Sequence, residues 1–195
     1  KCYSPRDQLR FGPPRTTEPV YTPSYGRSQF IGTTLVDQLL KGYDSFTEEE
    51  KNSLRLTETI KQSLAIALER GQATNTWFNG ISKAGSYADA NAAWSRLSAA
   101  ERQRFSSETG LGEREYTDMS RVRKQPPKNS KGKDLSGDAR AAFATTAIMV
   151  NESLRDYLMS IFETFDKFTI VAERFMKINM ENAKKASEFD GTEEH

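Results

Sequence analysis

Cysteine and histidine are the side chains most often used in nucleophilic and metal chemistry, and this chain of 195 residues has one of each. Cys2 and His195 stand at opposite ends of the sequence. One thiol cannot form an intrachain disulfide, and a zinc site needs three or four ligands at close spacing. A nucleophilic pair of Cys2 and His195 would require both chain ends to meet without a third orienting group. We therefore predict no catalytic residue, no cofactor and no metal ion.

Other catalytic patterns are also missing from the sequence. Glu48, Glu49 and Glu50 are adjacent carboxylates, but they stand at a predicted helix start, where interaction with the helix dipole accounts for them. Neither of the glycine-rich phosphate-binding motifs, GxGxxG and GxxxxGK[ST], occurs. With one terminal histidine, acid–base catalysis would fall to Asp, Glu, Lys or Tyr in an unidentified pocket. We expect a non-enzymatic protein, with a small helical enzyme as the alternative.

The composition is polar and nearly neutral in charge. The hydrophobic fraction is 36% and the formal net charge is +1, while the mean hydropathy is -0.72. This length predicts one helical core with appendages. No run of apolar residues approaches the roughly 18 that a membrane-spanning helix needs. Because the chain begins at Lys1 rather than Met, removal of a targeting peptide is compatible with the sequence, and no compartment is predicted.

Basic residues are concentrated between positions 121 and 135, a segment that we predict to be a flexible hinge. Positive charges in a flexible segment can contact the phosphates of nucleic acid or another polyanion. A nucleic-acid footprint normally includes a wider basic face, so polyanion binding is an alternative function rather than the favoured one. The predicted polyanion-binding residues are Arg121, Arg123, Lys124, Lys128, Lys131 and Lys133.

Residues 1–30 contain five of the seven prolines and are predicted to form an extended arm. Proline biases its predecessor toward extended conformations and removes a backbone donor, so neither a helix nor a central strand is expected here. A disordered leader is the alternative. Extended segments lose little entropy on binding and can anchor through aromatic side chains. The predicted anchors are Tyr3, Phe11, Tyr21 and Tyr25.

The middle of the chain, residues 31–120, is predicted to hold short helices that pack on a C-terminal helix. Apolar residues at steps of three and four predict helices over 33–43, 47–70, 87–97 and 99–108. Two segments, Thr47 to Glu50 and Ser98 to Glu101, have the form of a capping box. Gly71 and Gly110 are predicted helix stops. The segments 73–85 and 111–135 are predicted to be turns and a polar hinge, and Trp94, Leu97 and Phe105 are predicted to face inward.

Residues 136–189 are predicted to form one long amphipathic helix, followed by an acidic tail at 190–195. Apolar positions recur at steps of three and four from Phe143 through Val150 to Ile178. A helix of about 50 residues is about 75 Å long. Its apolar face is too broad and too aromatic for a simple coiled-coil strand. The predicted partner-binding residues on this helix are Phe162, Phe165, Phe168, Phe175 and Met176.

These observations predict an all-α fold: an irregular helical bundle with one very long C-terminal helix and an extended N-terminal arm. The predicted function is that of a structural or linker subunit, which binds other protein subunits in a hetero-assembly or a homo-oligomer. A self-contained bundle, whose Phe and Met residues only fill its core, is the simpler alternative. The general layout of arm and helices is similar to that of linker subunits of bilin-bearing light-harvesting antennae. As a further alternative function, that resemblance implies a linker subunit of a light-harvesting antenna with Cys2 as a chromophore anchor.

Overall fold

The structure, a computed structural model, describes residues 30–161 and 165–193. Within these ranges the chain forms nine α-helices and no strand, which confirms the all-α prediction. A π-helical turn at Phe30–Thr34 and 3-10 turns at Tyr43–Ser45 and Tyr87–Ala92 accompany them. The helices are α1 (Leu35–Gly42), α2 (Glu48–Leu54), α3 (Glu58–Gly80), α4 (Ala93–Arg96), α5 (Ala99–Thr109), α6 (Glu113–Lys124), α7 (Ser136–Met149), α8 (Glu152–Ser160) and α9 (Phe165–Glu193).

Both predicted capping boxes are present. The Glu50 backbone N–H donates to the Thr47 hydroxyl over 3.1 Å, and the Thr47 N–H donates to the Glu50 carboxylate over 2.9 Å. The same reciprocal pair joins Ser98 and Glu101 at the start of α5. Gly110 ends α5 in the left-handed conformation, with φ of 73°, as the sequence predicts. The predictions of these helix termini are confirmed. They depend only on nearby residues, because a cap satisfies backbone groups within a few residues of itself.

The predicted helix 47–70 is two helices, and its predicted stop is wrong. Arg55 adopts the left-handed conformation, with φ of 53°, and ends α2. Thr57 then caps α3 by accepting from the Ile60 N–H over 3.2 Å. Gly71 lies inside α3, where a Cβ atom would be 3.2 Å from the Ile148 side chain. Gly71 therefore permits close approach of α3 and α7, and α3 continues to Gly80 through residues predicted to be turns.

Part of the predicted polar hinge is also helical. Residues 113–124 form α6, and the Gly112 N–H at its start donates to the Glu115 carboxylate over 3.3 Å. Three of the basic residues occupy the last turn of α6, where positive charge interacts favourably with the helix dipole. The prediction of a flexible hinge beginning at residue 121 is therefore wrong for the residues that belong to α6.

The predicted helix 136–189 is divided into three helices in the structure. α7 ends at Met149, and Asn151 caps α8 by accepting from the Leu154 N–H over 3.1 Å. Val150, predicted to lie on the apolar seam, is 47% exposed at this break. α9 then begins at Phe165. The spacing of apolar residues persists across the break because α7 and α8 each keep their own buried face, and spacing alone does not detect a cap between them.

Two hydrophobic cores share the helices α3 and α7. The first core lies among α1, α2, α3, α7, α8 and the start of α9, with Leu39, Leu64 and Leu158 fully buried. The second core lies among α3, α5, α6 and α7, with Phe105 and Phe143 fully buried. α3 contributes to both cores, and so does α7. Each large side chain buried in this way stabilises the fold by about 1.5 to 3 kcal/mol.

Aromatic rings in edge-to-face contact fill the second core. The Phe105 ring lies 5.3 Å from Trp77 and 5.1 Å from Tyr116, at interplanar angles of 86° and 82°. Burial raises the pKa of the Tyr116 hydroxyl. The inward position predicted for Phe105 is confirmed, whereas Trp94 and Leu97 are only partly buried beside this core. This cluster fixes α5 and α6 against the end of α3.

Candidate protein interaction surface

The N-terminal half of α9 is attached to the bundle. Val171 is 1% exposed and belongs to the first core. One turn further, an Arg174 guanidinium nitrogen donates to the Glu50 carboxylate over 2.6 Å. The same guanidinium lies 5.9 Å from the centroid of the Phe46 ring. An apolar contact and an ion pair therefore fix the direction in which α9 leaves the bundle.

Glu50 serves α2 and α9 at the same time. The Thr47 backbone N–H that this carboxylate accepts is the main cause that lowers its pKa, and Arg174 lowers the pKa further. Partial burial raises the pKa and is the second-largest influence, but the bonds to Thr47 and Arg174 together outweigh it. The carboxylate is therefore ionised at neutral pH, as both of its partners require.

Beyond Arg174, most side chains of α9 are exposed. Met176 is 62% exposed and Met180 is 71% exposed, and residues 179–188 are exposed throughout. Residues 175–188 correspond to about 21 Å of helix. Among the described residues, Ile66 and Val150 are the other exposed large apolar side chains, and they stand apart on different elements. Within the described ranges, α9 is therefore the helix that exposes two large apolar side chains one turn apart.

The exposed methionines lie on the face of α9 that points away from the bundle. At 3.6 residues per turn, Val171 and Phe175 share the side turned to the bundle, while Met176 and Met180 lie well around the helix from them. The side chains on this outer side form an open surface of one helix. We call these residues the Met face: Glu173, Met176, Lys177, Met180, Glu181 and Lys184.

The predicted partner-binding residues have different locations. Phe168 and Phe175 are half-buried, and Phe175 lines a cavity between α1 and α3 with Leu68 and Gly71. Met176 is exposed on the Met face. The described residues do not include Tyr3, Phe11, Tyr21, Tyr25 or Phe162, nor Cys2 and His195, and the Phe165 side chain is likewise outside the description.

The other members of the Met face were not predicted as site residues. Met180 stands four positions after Met176, which is the spacing of neighbours on a helix surface. Charged residues at the same spacing surround both methionines. These signals were present in the sequence. They could not be separated from the core seam without knowing where the bundle ends.

Three of the predicted polyanion-binding residues bind this chain itself. Arg123 donates to the carbonyl oxygens of Asn79 and Ile81, over 3.2 Å in each case. Lys124 donates to the carbonyl oxygens of Ser82 and Ala84. These bonds satisfy carbonyl groups that the end of α3 and the following loop leave without helical partners. Arg123 and Lys124 therefore hold this loop against α6.

Arg121 also makes contacts within the chain. It forms an ion pair with Asp118 over 3.2 Å and donates to the Asn91 side chain. Its guanidinium lies 5.9 Å from the centroid of the Tyr87 ring. Arg121 thereby connects α6 to the 3-10 turn at Tyr87–Ala92.

The remaining basic residues lie on an exposed turn. The side-chain oxygen of Asn129 accepts from the N–H groups of Lys131 and Lys133, over 2.9 Å in each case. Lys128 forms an isolated antiparallel bridge with Asp134. All three lysines are exposed. Polyanion binding at this turn stays a prediction, supported by three side chains rather than six.

Within residues 30–161 and 165–193, no three His, Cys, Asp or Glu side chains are grouped so as to hold a metal ion. No helix in the same ranges is long and apolar enough to cross a lipid bilayer. Comparison with models of protein families, with curated proteins and with solved structures found no match. Any functional assignment therefore rests on the geometry of the chain itself.

Proposed function

We propose that this protein is a non-enzymatic helical subunit of a larger protein assembly, and that it binds its neighbour through the Met face of α9. The observation that supports this function is the exposure of Met176 and Met180 one turn apart, on a helix whose first half is fixed to the bundle. Methionine side chains are flexible and polarisable, so they adapt to a partner surface. An apolar centre with a charged rim is typical of protein interfaces.

The energetics favour a protein partner. Full burial of a methionine side chain contributes about 1.5 to 3 kcal/mol, so two of them supply a useful share of a binding free energy. α9 is already helical and Arg174 fixes its direction, so less conformational entropy is lost on binding than for a disordered segment. Binding would then follow the helix-in-groove mode, with anchors at positions i and i+4.

Quantitative affinity capture would test this function. The native chain, the variant Met176→Glu/Met180→Glu and the control Ile66→Glu would each capture proteins from cells that express the chain. Ile66 is exposed on α3, so the control introduces the same chemistry away from the Met face. We expect partners that the native chain and the control retain, and that the Met-face variant loses by about tenfold or more. Equal recovery by all three chains would contradict the proposed interface.

The exposed turn with Lys128, Lys131 and Lys133 supports polyanion binding as a second candidate function. Neutralising all three lysines to Gln should then weaken binding to duplex DNA or heparin and reduce its dependence on salt. The helix residues Arg121, Arg123 and Lys124 are unsuitable for this test, because their loss also removes bonds within the chain. Binding that is unchanged in the triple variant would exclude the turn as the site.

A further inference from the structure

We propose that the partner of the Met face is a second copy of this chain, bound with the two α9 helices antiparallel. This inference rests on the proposed function, because it requires that the Met face binds protein. It adds the identity of the partner and the geometry of the pair. It is carried by the order of charges along the Met face and by the position of the bundle relative to that face.

The charges of the Met face are complementary to the same face in reverse order. Along α9 the charged positions read Glu173, Lys177, Glu181 and Lys184. If two copies align antiparallel, Glu173 lies opposite Lys184 of the second copy, and Lys177 lies opposite Glu181. The same alignment places Met176 opposite Met180. The midpoints of these three pairs are positions 178, 178.5 and 179, so they agree to within one residue with a single two-fold axis near the middle of the Met face.

A parallel alignment lacks this complementarity. All four charged residues lie on one flank of the methionines, and in a parallel pair that flank would face the opposite flank of the second copy, where Ala172, Asn179 and Ala183 carry no charge. The antiparallel alignment has an opposite charge at each of the four charged positions. The order of charges therefore selects one orientation of the pair.

These charges are available for a second copy. All four side chains are exposed. Glu173 and Lys177, and likewise Lys177 and Glu181, have the i, i+4 spacing at which ion pairs commonly form on a helix. In the part of the chain that the structure describes, none of the four takes part in an ion pair. An intermolecular contact thus would not have to replace an existing one.

The bundle leaves room for the second copy. Val171 and Phe175 turn their side of α9 to the bundle, and the Met face points away from it. In an antiparallel pair the two bundles therefore lie on the outer sides of the paired helices. The contact extends over about 20 Å of helix. One helix face of this length buries less area than the roughly 800 Å² per partner of a stable interface. We expect a dimer that dissociates on dilution.

Sedimentation equilibrium of the full chain over a range of concentrations tests for the dimer. We expect a reversible monomer–dimer equilibrium for the native chain and for Ile66→Glu, and a monomer for Met176→Glu/Met180→Glu. Glu173→Lys should weaken the dimer about threefold to tenfold, because Lys then faces Lys184 of the second copy at two symmetric positions. The double variant Glu173→Lys/Lys184→Glu should restore the native equilibrium.

Disulfide trapping tests the orientation. Chains with Met176→Cys and chains with Met180→Cys, both carrying Cys2→Ser, would be mixed and oxidised slowly. The antiparallel pair predicts that the mixed disulfide between positions 176 and 180 forms faster than either symmetric disulfide. Faster symmetric disulfides would overturn the antiparallel pairing.

A native chain that stays monomeric at about 1 mM would overturn the second copy as the partner. If Met176→Glu/Met180→Glu nevertheless loses proteins in the capture experiment, the Met face binds a different protein and the proposed function stands. If the chain is monomeric and the variant also captures the same proteins as the native chain, both proposals fail. The two experiments therefore separate failure of the inference from failure of the function.

Discussion

One carboxylate oxygen of Glu50 accepts both the Thr47 backbone N–H at 2.9 Å and the Arg174 guanidinium at 2.6 Å. The capping box of α2 and the attachment of α9 therefore depend on the same atom. Both side chains of the ion pair are less than a quarter exposed, at 18% for Arg174 and 24% for Glu50. Screening by solvent is consequently weaker here than for an open surface pair.

We expect Glu50 and Arg174 to be energetically coupled. In a double-mutant cycle of Glu50→Gln and Arg174→Met, the coupling free energy should be about 1 kcal/mol by denaturant unfolding. The pair Lys51 and Glu48, at 3.7 Å with Glu48 88% exposed, is a matched control from the same helix. Its coupling should be close to zero. Equal coupling for the two pairs would show that burial of the Arg174 pair has no energetic importance.

The contribution of Glu50 should disappear in acid. Its pKa is lowered from the ordinary value of 4.5. The stabilisation is therefore fully present above pH 4.5 and is lost as pH falls through the pKa of the folded state. The difference in unfolding free energy between the native chain and Glu50→Gln should shrink over this range. Urea unfolding at several pH values would measure it, and a difference that is constant down to pH 2 would be contrary to expectation.

Gly32 should not tolerate a side chain. A Cβ atom there would lie 2.5 Å from the side chain of Thr145, which is 3% exposed on α7. We expect Gly32→Ala to destabilise the fold by about 1 to 3 kcal/mol through overpacking. Gly80→Ala is the control, because no atom lies within 4 Å of its Cβ position, and it should be neutral or stabilising by up to about 1 kcal/mol. Chemical denaturation decides between these outcomes; equal stability of both variants would refute the close contact.

Arg123 should contribute to stability and Lys131 should not. Arg123→Met removes two hydrogen bonds from a charged donor to backbone carbonyls, which should cost about 1 to 2 kcal/mol. Lys131→Met changes an exposed side chain on a turn and should remain within about 0.5 kcal/mol of the native chain. Thermal unfolding of the two variants measures this difference. A similar small effect for both would mean that Arg123 is not needed to hold the loop after α3.

Helix starts and the fold class could be predicted from the sequence because they depend on short-range chemistry. Thr47 and Ser98 cap helices whose partners are three residues away. The helix end at Arg55 and the helical position of Gly71 could not be predicted, for opposite reasons. Arg55 adopts a left-handed conformation without the usual glycine, whereas Gly71 is helical and its small size serves a contact with Ile148, which is distant in sequence.

The candidate site was predictable in part. Met176 was identified because it is apolar and lies beside the seam. Its exposure depends on where the bundle ends along α9, and that point is set by Arg174 and Glu50, 124 positions apart in sequence. The structure also assigns Arg121, Arg123 and Lys124 to contacts within the chain. The order of charges in the sequence does not reveal these contacts, because the carbonyl groups that bind Arg123 and Lys124 belong to a loop about 40 residues earlier.

α3 and α7 each place side chains in both cores, and this arrangement determines how the molecule opens. Neither core can lose its packing without unravelling a helix on which the other core depends. Heating should therefore give a single cooperative transition rather than two. Amide hydrogens of α3 and α7 should exchange only through global unfolding, whereas those beyond Met176 should exchange through local fraying. The end of α9 can thus fray while the rest of the protein keeps its shape.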